Sequence, residues 1–224
     1  MCGRFTLTLE GGYLQAELNL GGLPADWQPR YNIAPSQPVA VVREAQRREV
    51  EWMRWGLVPA WAEDPQIGYR LINARAETVT EKPSFRQAFA KRRCLVLADG
   101  FYEWQRATGQ RGPSLPYYFR LEDGKPFAFA GLWEHWRSKS SSEEIVSCTI
   151  ITTQANERVA PVHPRMPVIL TGEALWQWLD NRPPQELQAM LKPLPAEEMV
   201  AYPVSRRVND ANFDAPEVIL PVAG

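Results

Sequence analysis

Twenty prolines in a chain of 224 residues constrain the fold more than any other feature of this sequence. Proline fixes φ and has no amide proton, so it interrupts helices and is confined to the edges, bulges and turns of sheets. At this density it suits a loop-rich, irregular β architecture. Nine tryptophans accompany it, which read either as a heavy core or as a set of stacking platforms. The length allows one large domain or two small ones. An apolar fraction of 45% and a charged fraction of 23% are those of a globular protein able to bury a core. No apolar run approaches a membrane span, and no basic-then-apolar leader opens the chain, so a cytoplasmic protein is expected, associated with the nucleoid if it acts on DNA. The net charge of −1 disfavours a broad grip on duplex DNA and leaves room for a local basic cleft. Cys2, Cys94, Cys148, His135 and His163 have neither disulfide-framework nor zinc spacing, so no metal or other cofactor is expected.

Alternation and turn signals predict the elements. Residues 4–9 read as a strand and 13–20 as a short helix closed by Gly21-Gly22. Residues 38–43 and 49–55 read as a hairpin turning at Gln46-Arg47-Arg48. Residues 85–93 read as a helix with Ser84 as N-cap. Residues 94–97 and 101–106 read as strands divided by Asp99-Gly100, with a polar loop over 107–116. Residues 117–121 and 127–133 read as strands around Asp123-Gly124, the strongest hairpin signal in the chain. Residues 145–153 and 167–170 follow as strands, residues 173–179 and 184–191 as helices, and 199–204 as a last short strand. Without repeats or linkers, the economical reading is one α+β domain over residues 1–224, β-rich, with an antiparallel barrel-like core flanked by short helices.

Position 2 carries distinctive chemistry. A small second residue directs removal of the initiator methionine, which leaves Cys2 with a free α-amine and a thiol on adjacent carbons. Their reference pKa values, about 7.7–8.0 and about 8.5, give each a usable nucleophilic fraction near neutrality. A 1,2-aminothiol captures an aldehyde: the amine forms an imine, and the thiol closes a five-membered thiazolidine in an intramolecular step. The same thiol also suits acyl transfer, and a small buried residue with no chemistry is the ordinary alternative.

Three further polar islands lie where the pattern predicts burial or tight packing. In Leu71-Ile72-Asn73-Ala74-Arg75-Ala76-Glu77, an extended backbone places Asn73 and Arg75 on one side. In Asp99-Gly100-Phe101-Tyr102-Glu103-Trp104, aromatic neighbours raise the pKa of Glu103 toward acid/base use. In Val162-His163-Pro164-Arg165-Met166-Pro167, His163 sits in a proline-bracketed loop. Each has a structural alternative: a surface bridge from Glu103 to Arg106, a turn cap for Asn73, a packing role for His163. His135 reads as structural, and Cys94 and Cys148 as inert buried thiols.

Together with Met1-Cys2-Gly3-Arg4-Phe5, Arg30-Tyr31-Asn32-Ile33-Ala34-Pro35, Trp55-Gly56-Leu57-Val58-Pro59-Ala60-Trp61, Thr152-Thr153-Gln154-Ala155-Asn156 and Val204-Ser205-Arg206-Arg207-Val208-Asn209, these islands stand in a characteristic order. The chain resembles the SOS-response-associated peptidase (SRAP) family of abasic-site-processing proteins over essentially its whole length. Leu97 departs where many members carry proline, and the partner-binding tail of some members is not expected here. The resemblance implies a β-barrel-like core flanked by helices and a covalent crosslink from the processed Cys2 to an abasic site in single-stranded DNA. It implies Glu103 as proton shuttle, His163 as its acid/base partner and Asn73 as a positioning group. It implies Arg4, Arg75 and Arg165 as phosphate contacts, and Trp61 and Trp104 as stacking or wedge residues. Single-stranded DNA carrying abasic sites is the expected partner, and a monomer the expected state. A thiol peptidase built on Cys2, Asn73, Glu103 and His163, with autocatalytic removal of Met1, is the second hypothesis; a non-catalytic single-strand-binding module is the third.

Overall fold

The computed structural model describes residues 2–106 and 114–222. Five strands close into a barrel. β3 (Pro38–Val42) pairs antiparallel with β4 (Glu51–Trp55) and with β6 (Arg93–Ala98); β6 pairs with β9 (Phe127–Arg137), and β9 with β10 (Glu144–Gln154). The ring closes where β10 runs parallel to β4, so one seam departs from the antiparallel expectation. Closure removes the free edges that a proline-rich chain would otherwise have to protect. Beyond the ring, β10 extends to pair with β5 (Asn73–Arg75) and β11 (Arg165–Pro167), while β12 (Ile169–Leu170) flanks β9.

A second sheet has the order β13-β8-β7-β1-β2, formed from β13 (Met199–Pro203), β8 (Leu115–Leu121), β7 (Gly100–Gln105), β1 (Phe5–Leu7) and β2 (Arg30–Ile33). β1 fastens this sheet to the barrel: the Phe5 ring meets Trp55 at 5.1 Å and Phe129 at 5.5 Å, both edge-on. The β6–β7 junction fixes the register of β1. Buried Asp99 accepts from Thr6 Oγ1 (2.5 Å), the Thr8 amide (2.5 Å) and Thr8 Oγ1 (2.7 Å), and Thr6 Oγ1 lies 2.9 Å from the Tyr118 hydroxyl. Gly100 is required for space, since a Cβ there would lie 2.1 Å from that hydroxyl. Asp99→Ala leaves the Thr6 and Thr8 donors without their acceptor and is expected to cost about 3 kcal/mol. For a chain this size that lowers Tm by roughly 6–12 °C, which a thermal melt checks.

The predicted hairpin over residues 38–55 is present. The Asp123-Gly124 signal marks a turn but not a hairpin. Gly124 has φ +71° and Asp123 Oδ1 accepts from the Lys125 amide, yet β8 pairs with β7 and β13 whereas β9 lies in the barrel. A strand buried along most of its length, as β9 is, takes partners on both edges, and the turn hands the chain from one sheet to the other. Among the described residues, four short α-helices, α1 (Gly11–Glu17), α2 (Arg86–Lys91), α3 (Glu173–Leu179) and α4 (Pro184–Ala189), pack outside. Ser84 does not cap α2, which begins after Phe85 without a side-chain cap. Its other end is sealed by Arg93, whose guanidinium donates to Phe89 O and Ala90 O and, across the gap, to Trp178 O and Asp180 O at the end of α3. Part of the predicted 107–116 loop lies outside the described residues; Leu115 and Pro116 begin β8.

Candidate active site

The site forms where the β1 end of the second sheet meets the β5–β10–β11 end of the barrel. Phe5 opposes Phe101 and the Tyr102 amide donates to Arg4 O, so the antiparallel register carries Glu103 alongside the residues that precede β1. Cys2 is fully buried within the main core. From the barrel side, Asn73 Nδ2 donates to Cys2 O at 2.7 Å. β5 thus fixes the backbone at Cys2, and the turn-cap alternative for Asn73 falls away. The strand alternates as expected, with Ala74 buried between half-buried Asn73 and exposed Arg75.

Glu103 is 2% exposed, which excludes the surface bridge to Arg106. Burial pushes its carboxyl up to about 7. His163 Nδ1 lies 3.8 Å from Glu103 Oε1. The same nitrogen accepts the Arg165 amide at 3.0 Å and lies 3.0 Å from Arg165 O. With its proton on Nε2 the neutral ring accepts from the Arg165 amide, and a proton on Nδ1 makes that nitrogen a donor toward the Arg165 carbonyl, so one backbone residue serves both states. Burial holds the imidazole below its ordinary pKa. Burial raises the Cys2 thiol strongly, and the Glu103 carboxylate adds to this. The resting thiol keeps its proton, with a carboxyl that titrates near neutrality beside it.

The other predicted residues divide by placement. Arg4 points away from Cys2 toward the segment around residue 208: its Nη1 donates to Asn32 Oδ1 and Val208 O, both at 2.7 Å. Buried Asn32 in turn donates to Asp210 O at 2.9 Å and Phe213 O at 2.7 Å. Trp104 is half-buried and anchored through Nε1 to Asn209 Oδ1 at 2.7 Å. Trp61 is 55% exposed and lines an open cleft of about 450 Å³ with Ile67 and Tyr69. Arg165 lies across β10 from β5 and donates to Thr152 O and to both carboxylate oxygens of Glu77. Sequence reasoning gave no role to Asn32 or Glu77. Asn32 had no visible signal; Glu77 had one, its two-residue spacing from Arg75. Cys94 and Cys148 are buried, and His135 pairs with Glu144 at the surface. Among the described residues no helix is long and apolar enough to cross a membrane.

A closed β barrel is fastened to a second sheet, and at their junction a buried near-terminal cysteine lies beside a buried carboxyl that an imidazole approaches. The family model described as SOS response associated peptidase (SRAP) matches residues 1–211, and the chain belongs to this family. It is 43% identical to the abasic site processing protein YoqW of Bacillus subtilis (strain 168), over 98% of this chain and 99% of that one. To the abasic site processing protein HMCES of Gallus gallus it is 35% identical, over 88% of this chain and 67% of that one. A crystal structure of a Bacteroides thetaiotaomicron protein superposes with TM-score 0.88 at 26% identity, covering 99% of this chain and 100% of the other.

Proposed function

We propose that this protein processes abasic sites by capturing the ring-opened deoxyribose on Cys2 in single-stranded DNA. The observation that carries the reading is the convergence of Asn73 on the Cys2 backbone with buried Glu103 and His163 paired at 3.8 Å. Once Met1 is removed, the Cys2 amine attacks C1′ of the aldehyde. The carbinolamine loses one water to give an imine. The Cys2 sulfur then bonds to C1′, its proton passes to the acid/base pair, and the imine nitrogen gains one. A thiazolidine results, with net loss of one water. Glu103 suits the proton transfers because a group near pKa 7 both gives and takes protons at neutral pH. His163 relays them, and Asn73 keeps the amine and thiol in place. The closed ring has no imine to promote β-elimination, so the strand beside the lesion stays intact.

The test is intact-protein mass spectrometry after mixing with a single-stranded oligonucleotide carrying one abasic site. Wild type is expected to gain the oligonucleotide mass less one water, without reductant, and Cys2→Ala to gain nothing. A processed wild-type chain that forms no adduct overturns the reading. The family's description preserves a peptidase reading, with Met1 as the bond cleaved. The strongly raised thiol disfavours a standing thiolate of the kind a general thiol peptidase employs.

A further inference from the structure

Glu77 is held by Arg165 in a two-pronged ion pair. Arg165 Nη1 donates to Glu77 Oε1 at 2.6 Å and Nη2 to Oε2 at 3.0 Å, the two-pronged geometry with which arginine also takes a phosphate. The second prong is steadied from below, since Nη2 also donates to Thr152 O at 2.6 Å. The carboxylate is the outer partner: its side chain is 44% exposed, against 17% for Arg165. Arg75 acts on it too, from two residues earlier on the same edge, and its charge is among the influences that lower the Glu77 carboxyl below its ordinary value, after the Arg165 hydrogen bond. Glu77 therefore stands between solvent and one of the arginines expected to meet DNA, and within the field of a second.

We propose that Glu77 is a displaceable stand-in for a backbone phosphate, holding Arg165 in its binding geometry and yielding the seat when a DNA strand enters. This rests on the reading of Arg165 as a phosphate contact and adds a specificity device to it. A strand gains the Arg165 contact only by displacing an ion pair already made, so binding to any passing single strand is weakened. Capture at Cys2 is covalent, so a damaged strand is retained even when its reversible grip is modest. Exposed ion pairs of this kind are broken at small cost, which keeps the exchange reversible.

The experiment compares wild type, Glu77→Gln, Arg165→Ala and the double variant. Each is titrated with an undamaged single-stranded oligonucleotide by fluorescence anisotropy across a salt series, after a thermal melt confirms folding. Glu77→Gln keeps an acceptor toward Arg165 and loses the charge. It is expected to tighten binding about three- to fivefold. Its salt dependence is expected to steepen by somewhat under one phosphate equivalent, about 0.7 in the logarithmic slope. Arg165→Ala is expected to weaken binding, and the double variant to show none of the gain. If Glu77→Gln binds no tighter while Arg165→Ala weakens binding, the stand-in role is overturned and the phosphate contact survives. If Arg165→Ala leaves affinity and salt slope unchanged, the phosphate contact itself fails, and the stand-in role with it. A gain that persists in the double variant assigns the effect to general charge and also overturns the proposal.

Discussion

Glu103→Gln is expected to slow adduct formation by roughly 10²–10⁴-fold, the usual range for loss of a positioned acid/base group, with little change in DNA affinity. The limb of the rate–pH profile near 7 should vanish with it. The same variant should become relatively more stable as pH rises. In the fold the carboxyl is pushed from 4.5 up to about 7, so the native state retains a proton that the unfolded chain has released. Stability from this group is fully present below the unfolded value, falls as pH rises through about 7, and is then lost. At 1.36 kcal/mol per pH unit the difference is about 3 kcal/mol. Melts at pH 4 and pH 8.5 should show the variant's Tm gaining on wild type by roughly 6–12 °C between the two. A variant equally destabilised at both pH values would make Glu103 a structural link instead.

Cys2→Ser separates the two nucleophiles of the proposed reaction. The amine remains, so the imine still forms, but the weaker hydroxyl does not close a durable ring. The heat-stable adduct is expected to fall by at least about 100-fold. Two new signs should appear: an adduct trapped by borohydride, and scission of the strand beside the lesion, because an open imine promotes β-elimination. Denaturing gels with and without reductant read both. An adduct as durable as that of wild type would show that sulfur takes no part in the linkage.

Legibility from sequence followed the range of the interaction. Elements defined by local pattern are where the alternation placed them, including α3 and the β3–β4 hairpin. The Asp123-Gly124 turn shows the limit: turn chemistry fixes a reversal of the chain, while the choice of partner belongs to the sheets on either side. Ser84 failed as a cap because α2 starts two residues later. At the site, Glu103 was readable because its aromatic neighbours announce burial. The tie from Asn73 to Cys2, 71 residues apart, was not, because hydrogen-bond partners from separate sheets leave no periodic trace. The same holds for Arg165, whose carboxylate partner lies 88 residues away.

The Arg4–Val208 bond joins residues 204 positions apart. A ribosome adding 5–20 residues per second makes the two partners roughly 10–40 s apart. For roughly the first half of that time the first residues lack their β7 neighbour, and for nearly all of it they lack the segment that Arg4 and Asn32 grip. Cys2 thus leaves the ribosome long before the segment that completes its surroundings. A chain halted before residue 208 would carry Cys2 without the segment that Arg4 and Asn32 grip.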